Sequence, residues 1–166
     1  MTEVKGKVVK FDDNINTDVI IPGRYLIYTD PFELAKHAME GVDPSFPEKA
    51  KQGCIIVAGK NFGCGSSREQ APVALKYAGV KAVVAESFAR IFYRNAINIG
   101  LPALTCRGVH SKLQEGDEVA VNLQEGMVKN LRTGEVIKAQ PLHPFVIEIL
   151  TKGGLISYMK AKLQAE

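Results

Sequence analysis

Hydrophobic and polar positions change rhythm three times along this chain. In the middle, Cys54-Ile55-Ile56-Val57-Ala58 is an unbroken apolar run set between Gly53 and Gly59. Five apolar residues in succession predict a strand buried on both faces, as in a sheet covered by other elements. Residues 81–85 and 101–106 repeat the pattern as second and third strands. Between them, 72–78 and 89–99 carry helical spacing and stop at Gly79 and Gly100. Strand, helix, strand, helix, strand at these distances is the signature of βαβ crossovers with parallel pairing.

Before this core, residues 4–11 alternate loosely and predict an opening strand, broken by the turn-formers Asp12, Asp13, Asn14, Asn16 and Asp18. Val19-Ile20-Ile21 reads as a short strand or extended segment, ended by Pro22-Gly23. Residues 24–31 are apolar for a stretch bounded by Pro-Gly and Asp-Pro, and an apolar loop needs something to cover it. Residues 32–39 predict a helix with Phe32, Ala35, Ala38 and Met39 on one face, and 42–52 reads as a surface connection. After Arg107 the rhythm becomes alternation interrupted by turns. Residues 116–123, 127–131 and 132–139 predict antiparallel hairpins that complete a second sheet. Residues 144–150 fit a strand or a short helix, and 155–163 a last helix with Leu155, Ile156, Met159 and Leu163 near one face. No repeat or linker divides the chain, so a single α/β domain over 1–166 is expected.

Composition narrows the function classes. At 166 residues, with 46% hydrophobic and 23% charged residues, the chain has room for a real core. A formal charge of +3 without any long Lys/Arg run argues against a nucleic-acid partner. No apolar run approaches the ~20 residues of a membrane span, and Met1-Thr2-Glu3-Val4-Lys5 lacks the apolar core of a signal peptide, so no membrane partner and a cytoplasmic location are expected. The cysteines Cys54, Cys64 and Cys106 are odd in number and far apart, which suits neither a disulfide framework nor a metal or iron–sulfur ligand set within this chain.

The candidate chemistry sits just after the first buried strand, in Gly63-Cys64-Gly65-Ser66-Ser67-Arg68-Glu69. Ser66 and Glu69 spell a capping box at a helix start. A helix start with free backbone N–H groups favours an anion. The block lacks the Gly-Lys-Ser/Thr ending of a phosphate loop, and Arg68 stands where a dinucleotide fingerprint has its third glycine. A Cys64 nucleophile needs a base, and His37, His110 and His143 stand in no recognisable partner motif. What remains is two hydroxyls followed by a guanidinium able to hold a carboxylate bidentately. Pro72 crowds the carbonyl of Arg68, so the regular helix is expected to begin nearer Pro72, leaving 66–69 irregular with its donors free. From the residues alone two readings stand: a carboxylate bowl, or a simple cap worth ~1 kcal/mol with Arg68 in solvent.

With Ser87-Phe88-Ala89-Arg90-Ile91, Asn95, Gly100-Leu101-Pro102 and Asn16-Thr17-Asp18 added, the chain resembles the swivel domain of the aconitase superfamily. At this length, as a separate chain, it is similar to the small subunits of 3-isopropylmalate dehydratases. The resemblance runs from about Lys5 to Cys106 and implies a three-layer β/β/α swivelling domain. It further implies a dehydration and rehydration that interconverts 2-isopropylmalate and 3-isopropylmalate through 2-isopropylmaleate, in leucine biosynthesis. The implied partner is a large subunit, in a heterodimer or heterotetramer, that carries a [4Fe–4S] cluster on its own cysteines; this chain is expected to bind no metal. By matching positions Ser66 is the base, and Arg68 holds a carboxylate of the small dicarboxylate substrate. Ser67 supplies a neighbouring donor, and Asp18 is either a site carboxylate or a turn residue.

In relatives that handle tricarboxylates an arginine in the apolar loop receives the extra carboxylate. Here Leu26, Ile27 and Tyr28 make that place apolar. Burying an isopropyl group there is favourable by a few kcal/mol, whereas an unpaired carboxylate would be strongly penalised. Arg24 precedes the loop and is able to swing toward the substrate, and Arg90 and Arg94 read as structural or interface residues, with contact to substrate as the lesser alternative. The rival expectations are a dehydratase for homoaconitate, 2,3-dimethylmalate or methylmalate-type acids, a non-catalytic carboxylate-binding module, and a cysteine hydrolase built on Cys64.

Overall fold

A computed structural model describes residues 3–165. The apolar runs form β1 (Glu3–Lys10), β2 (Cys54–Ala58), β3 (Val80–Ala85) and β4 (Ala103–Thr105), paired in parallel in that order. The alternating region forms β5 (Glu118–Asn122), β6 (Met127–Asn130) and β7 (Val136–Lys138), all antiparallel. β5 runs antiparallel beside β1, from Glu3↔Asn122 to Lys7↔Glu118. The result is one seven-stranded ladder in the order β4-β3-β2-β1-β5-β6-β7.

The period-2 rule explains how one ladder yields two β layers. Cys54, Ile56 and Ala58 of β2 point to a core shared with Phe46, Leu75 and Phe92 from the helices. Their neighbours Ile55 and Val57 point the other way, into a core shared with Val119, Val121, Val128 and Ile137 of the antiparallel strands. Strands of one sheet meet face to face in this second core only if the sheet curls over on itself. The expected layers of helix, parallel strands and antiparallel strands are therefore built, but the hairpins extend the first sheet instead of forming a second one.

The helices α1 (Thr17–Ile20), α2 (Pro31–Ala35) and α3 (Phe46–Ala50) lie between β1 and β2, with a 3-10 turn over Gly23–Tyr25. α4 (Gln70–Ala78) and α5 (Arg90–Asn98) are the next two crossovers. α6 (Val109–Lys112), α7 (Pro144–Thr151) and α8 (Leu155–Ala165) complete the chain.

Local competition explains where these elements depart from the apolar pattern. Val19-Ile20-Ile21 is not a strand, because the Asn16 side chain accepts from the Val19 N–H at 2.9 Å and caps a helical turn. The helix expected over 32–39 ends at Ala35, after which Met39 adopts φ 59° and gives its N–H to Ile20 O at 2.7 Å. Ala35, Ala38 and Met39 are buried as expected, but Phe32 is exposed. The connection over 42–52 contains α3, whose Phe46 and Ala50 are wholly buried. Residues 144–151 resolve as helix, with His143 Nδ1 accepting from the Phe145 N–H at 3.0 Å. α8 forms as expected, yet Ile156, Met159 and Leu163 face solvent.

The turn into β5 is locked by a buried carboxylate. Asp117 accepts from Arg132 Nε at 3.0 Å, the Gln114 N–H at 2.9 Å and Asn130 Nδ2 at 3.1 Å. Arg132, then the Gln114 amide, holds this carboxyl below its ordinary range. A lowered folded value means the stabilisation is complete above the unfolded value and is lost as pH falls through the folded one. Asp117→Asn is expected to lose about 1–3 kcal/mol near neutrality by urea unfolding. The gap to the parent should close below about pH 4, and a gap independent of pH would remove the ion pair from the account.

Candidate active site

The carboxyl ends of β1, β2 and β3 lie side by side, and the loops leaving them are zipped together. The Phe11 N–H donates to Val57 O at 2.9 Å, the Asn14 N–H to Lys60 O at 2.8 Å, and the Gly63 N–H to Ile15 O at 2.7 Å. Next, the Thr17 N–H donates to Cys64 O at 2.9 Å and Thr17 Oγ1 to Ser66 O at 2.7 Å. On the other side, the Phe62 N–H donates to Ser87 O at 3.1 Å and the Ala89 N–H to Phe62 O at 3.0 Å. The glycine loop is thus a continuation of the parallel ladder between two neighbours. Gly63 sits at φ 84°, a region that favours glycine, and a Cβ there would run into the buried Phe92 ring.

The zip brings the predicted polar residues together. Arg68 Nη1 donates to Asp18 Oδ1 at 2.9 Å and to Ile21 O at 2.8 Å, and Asp18 also accepts from the Gly23 N–H at 3.2 Å. Arg68 first, then the Gly23 amide, holds the Asp18 carboxyl below its usual range. Asp18 is therefore a partner of Arg68 as well as a turn residue. Ser66 and Ser67 are exposed beside it, and neither hydroxyl has a partner among the described residues. The expected capping box is absent: α4 begins at Gln70, and Glu69 caps nothing with its side chain. Pro72 occupies the first turn, where its missing N–H costs no helical bond. Among the described residues the amides of Gly65, Ser66, Ser67 and Arg68 have no acceptor within the chain. Serine hydroxyls, free amides and a fixed guanidinium beside a helix start form a carboxylate-binding bowl.

A cavity of about 500 Å³ opens over this bowl, lined by Thr17, Ser66, Ser67 and Arg68 on one side and by Arg90, Arg94 and Asn95 of α5 on the other. Leu26, Ile27 and Tyr28 do not line it. Ile27 is 80% exposed at the tip of its loop. Among the described residues the hydrogen bond that joins the loop to the site runs from the Gly23 N–H to Asp18. Behind it Tyr25 stacks on His37 with ring centroids 3.7 Å apart, while Arg24 lies over the Tyr25 ring and 3.9 Å from Glu40, away from the cavity.

The cysteines do not fit an iron–sulfur cluster. Burial pushes the Cys54 thiol up to about 12 and the Cys106 thiol up to about 11, leaving Cys64 alone near the site. Among the described residues no group of His, Cys, Asp or Glu stands together as a metal site. Neither Cys64 nor any histidine lines the cavity, and among the described residues no hydrogen bond joins Cys64 to a histidine, so a nucleophile–base pair is not formed there. No described helix is long and apolar enough to cross a membrane.

Comparison with known proteins settles the family. Residues 28–108 match the aconitase C-terminal domain. The chain is 61% identical over 160 residues to the isopropylmalate/citramalate isomerase small subunit of Methanocaldococcus jannaschii, covering 96% of this chain and 95% of that one. It is 60% identical to the 3-isopropylmalate dehydratase small subunit of Pyrobaculum calidifontis, over 95% and 97% of the two chains. The chain belongs to the 3-isopropylmalate dehydratase small-subunit family. Its fold superposes on the crystal structure of 3-isopropylmalate dehydratase from Methanocaldococcus jannaschii with a TM-score of 0.92, at 48% identity, covering 98% of this chain and 96% of that one.

Within this dehydratase family site, reading the sequence missed the structural part of Thr17 and the cavity-facing positions of Arg90 and Arg94. Helical spacing places both arginines four apart on one face, the only advance signal they gave. Gly63→Ala is expected to lose about 2–4 kcal/mol, from positive φ and overlap with Phe92. Gly134→Ala, at φ 80° with open space around it, should lose only the backbone share of about 1–2 kcal/mol. Equal losses in denaturant melts would show that Phe92 does not shape the loop.

Proposed function

We propose that this chain is the small subunit of a two-chain hydro-lyase that interconverts 2-isopropylmalate and 3-isopropylmalate through 2-isopropylmaleate. The observation that carries the reading is the register of the zipped loops. Thr17 holds the Ser66 carbonyl while Asp18 fixes Arg68, leaving the serine hydroxyls and loop amides turned to one cavity. Family membership supports the same reaction.

In this proposal the division of labour follows from what the residues can do. Arg68 keeps Nη1 on Asp18 and Ile21 O, and presents the rest of its guanidinium to a substrate carboxylate. That anchors the carbon next to the carboxylate over Ser66. A serine hydroxyl is a poor base in water; here the free amides, the start of α4 and the Arg68 charge stabilise the alkoxide that must take the proton. Ser67 supplies a further donor beside it. Loss of that proton to Ser66 and departure of the neighbouring hydroxide give the alkene, the two together making up the water released, and the reverse steps add water across it. The cluster of the large subunit, when paired, supplies Lewis-acid help to the departing hydroxyl. The loop of Leu26, Ile27 and Tyr28 gives the alkyl substituent an apolar surface once covered. One relative is named for both isopropylmalate and citramalate, whose alkyl group is a methyl, so a range of apolar substituents belongs to the proposal.

Mixing the chain with a cluster-loaded large subunit should generate isopropylmaleate, measured by its ultraviolet absorbance. Turnover by the small chain alone, or binding of malate-type acids without any pairing, would point to another function. In the paired enzyme Ser66→Ala is expected to lower kcat roughly 100- to 10,000-fold with KM little changed; near-parent turnover would exclude Ser66 as the base. Ile27→Arg should move kcat/KM toward substrates with a further carboxylate, and an unmoved preference would take the loop out of specificity.

A further inference from the structure

Local hydrogen bonds fold the apolar loop but do not decide where it stands on the protein. The Tyr25 N–H donates to Pro22 O at 3.0 Å, the Leu26 N–H to Gly23 O at 3.2 Å and the Tyr28 N–H to Tyr25 O at 3.1 Å. Each bond spans three residues, so together they make successive tight turns and nothing longer in range.

A stack of rings supplies the longer-range hold. His37 lies against Tyr25 with centroids 3.7 Å apart and planes 6° from parallel. Tyr28 lies within 14° of parallel to both, 6.4 Å from Tyr25 and 6.3 Å from His37. Arg24 stands 4.6 Å from the Tyr25 centroid, and since His37 covers one face of that ring, the guanidinium takes the other. Glu40 reaches both sides, with Oε2 3.3 Å from His37 Nδ1 and 3.9 Å from Arg24 Nη2. That oxygen is buried and has no hydrogen-bond partner among the described residues. The two nitrogen groups beside it are therefore what offsets its burial, and Glu40 acts as a clip across the stack.

The stack joins an exposed part of the chain to a fixed one. His37 and Glu40 belong to the turn that follows α2, where Ala38 and Met39 are wholly buried. There the Met39 N–H donates to Ile20 O at 2.7 Å and the Gly41 N–H to Val19 O at 3.3 Å, which stitches the turn to α1. On the loop side, Tyr25 and Leu26 are half-buried and Ile27 is exposed. Tyr25 and Tyr28 bracket Leu26 and Ile27, and two residues between fixed neighbours have little reach.

We infer that His37, clipped by Glu40, is the positioning residue of this loop: through Tyr25 and Tyr28 it sets where Leu26 and Ile27 stand, and so how strongly one alkyl substituent is preferred over another. The inference rests on the proposed reaction and on the loop's part in it. It goes further by assigning selectivity to a side chain that does not line the cavity over Ser66.

The test uses the small chain paired with its cluster-loaded large subunit, and two malate-type substrates that differ only in carrying an isopropyl or a methyl group. In His37→Ala the ratio of kcat/KM for isopropyl over methyl is expected to fall roughly 3- to 10-fold, through KM with kcat little changed. His37→Phe keeps a ring against Tyr25 and should recover most of the ratio, while Glu40→Gln should lower it by less than His37→Ala. Amide hydrogen exchange over residues 26–28 in the paired enzyme should quicken in His37→Ala and return toward the parent in His37→Phe. An unchanged ratio in His37→Ala, a fall that Phe does not recover, or an equal loss for both substrates would overturn the inference. Ile27→Ala separates it from the reading beneath it. If that variant leaves the ratio unmoved, the loop has no part in selectivity and the inference falls with it; a ratio moved by Ile27→Ala but not by His37→Ala rejects the stack alone.

Discussion

The constraint on which this structure depends is that the parallel pairing of β1 and β2 does not stop where the strands do. It runs on through Phe11, Asn14, Gly63 and Thr17, so that two loops of unlike sequence are held in register past the edge of the sheet. Loops at the carboxyl ends of parallel strands are the usual place for ligands in α/β folds, because free backbone donors collect there. Here the continued pairing removes the usual freedom of such loops. Once Ile15 and Cys64 accept from the opposite loop, the positions of Ser66 and Arg68 relative to Thr17 and Asp18 follow from geometry. The cost is local: Gly63 must adopt positive φ, and Phe92 must fill the space where its side chain would be.

The same strand that carries this register also joins the two halves of the fold. β1 is flanked by β2 on one side and β5 on the other, so curling of the sheet pivots about it. Its burial pattern reflects both duties: Val9 goes to the helical core and Val8 to the core closed by the antiparallel strands. The half-buried Tyr93 of α5 packs against both cores. One continuous ladder thus divides the core while the strand at its centre ends at the site.

What the sequence made legible follows the range of the forces involved. Cys54 to Ala58, the stops at Gly79 and Gly100, and the turn residues between β5, β6 and β7 are local signals, and the elements they imply are present. The release of the Ser66 amide and its neighbours was legible too, because Pro72 excludes a regular helix through Arg68. Less was visible where a distant partner decides. Val19-Ile20-Ile21 has the composition of a strand, yet Asn16 and the acceptor offered by Ile20 to Met39 make it a helical turn. Phe46 lies between two prolines and charges, and nothing nearby says that it fills the space against Phe11. The pairing of β5 with β1, more than a hundred residues apart in sequence, carries no local mark either. For the site, the block from Gly63 to Arg68 and the partner Asp18 could be read from motif, whereas the closeness of Arg90 and Arg94 required the crossover to be folded.

The Asp18–Arg68 pair reveals a compromise in how such a site is made ready. A guanidinium aimed at a carboxylate with no internal partner would sample many rotamers, and ordering it would be charged against binding. Pairing it with Asp18 and Ile21 O fixes it in advance, leaving it only about one-fifth exposed. The same pairing cancels its charge, so preorganisation and attraction are in conflict within a single residue. A fold can resolve that conflict by separating the duties, with one arginine held rigid for orientation and other, unpaired cations across the cavity for charge. Such cations must stay exposed and without acidic neighbours, or they too would be neutralised. Arg90, the first residue of α5 beside the same cavity, is left without such neutralisation, with no acidic side chain in its turn.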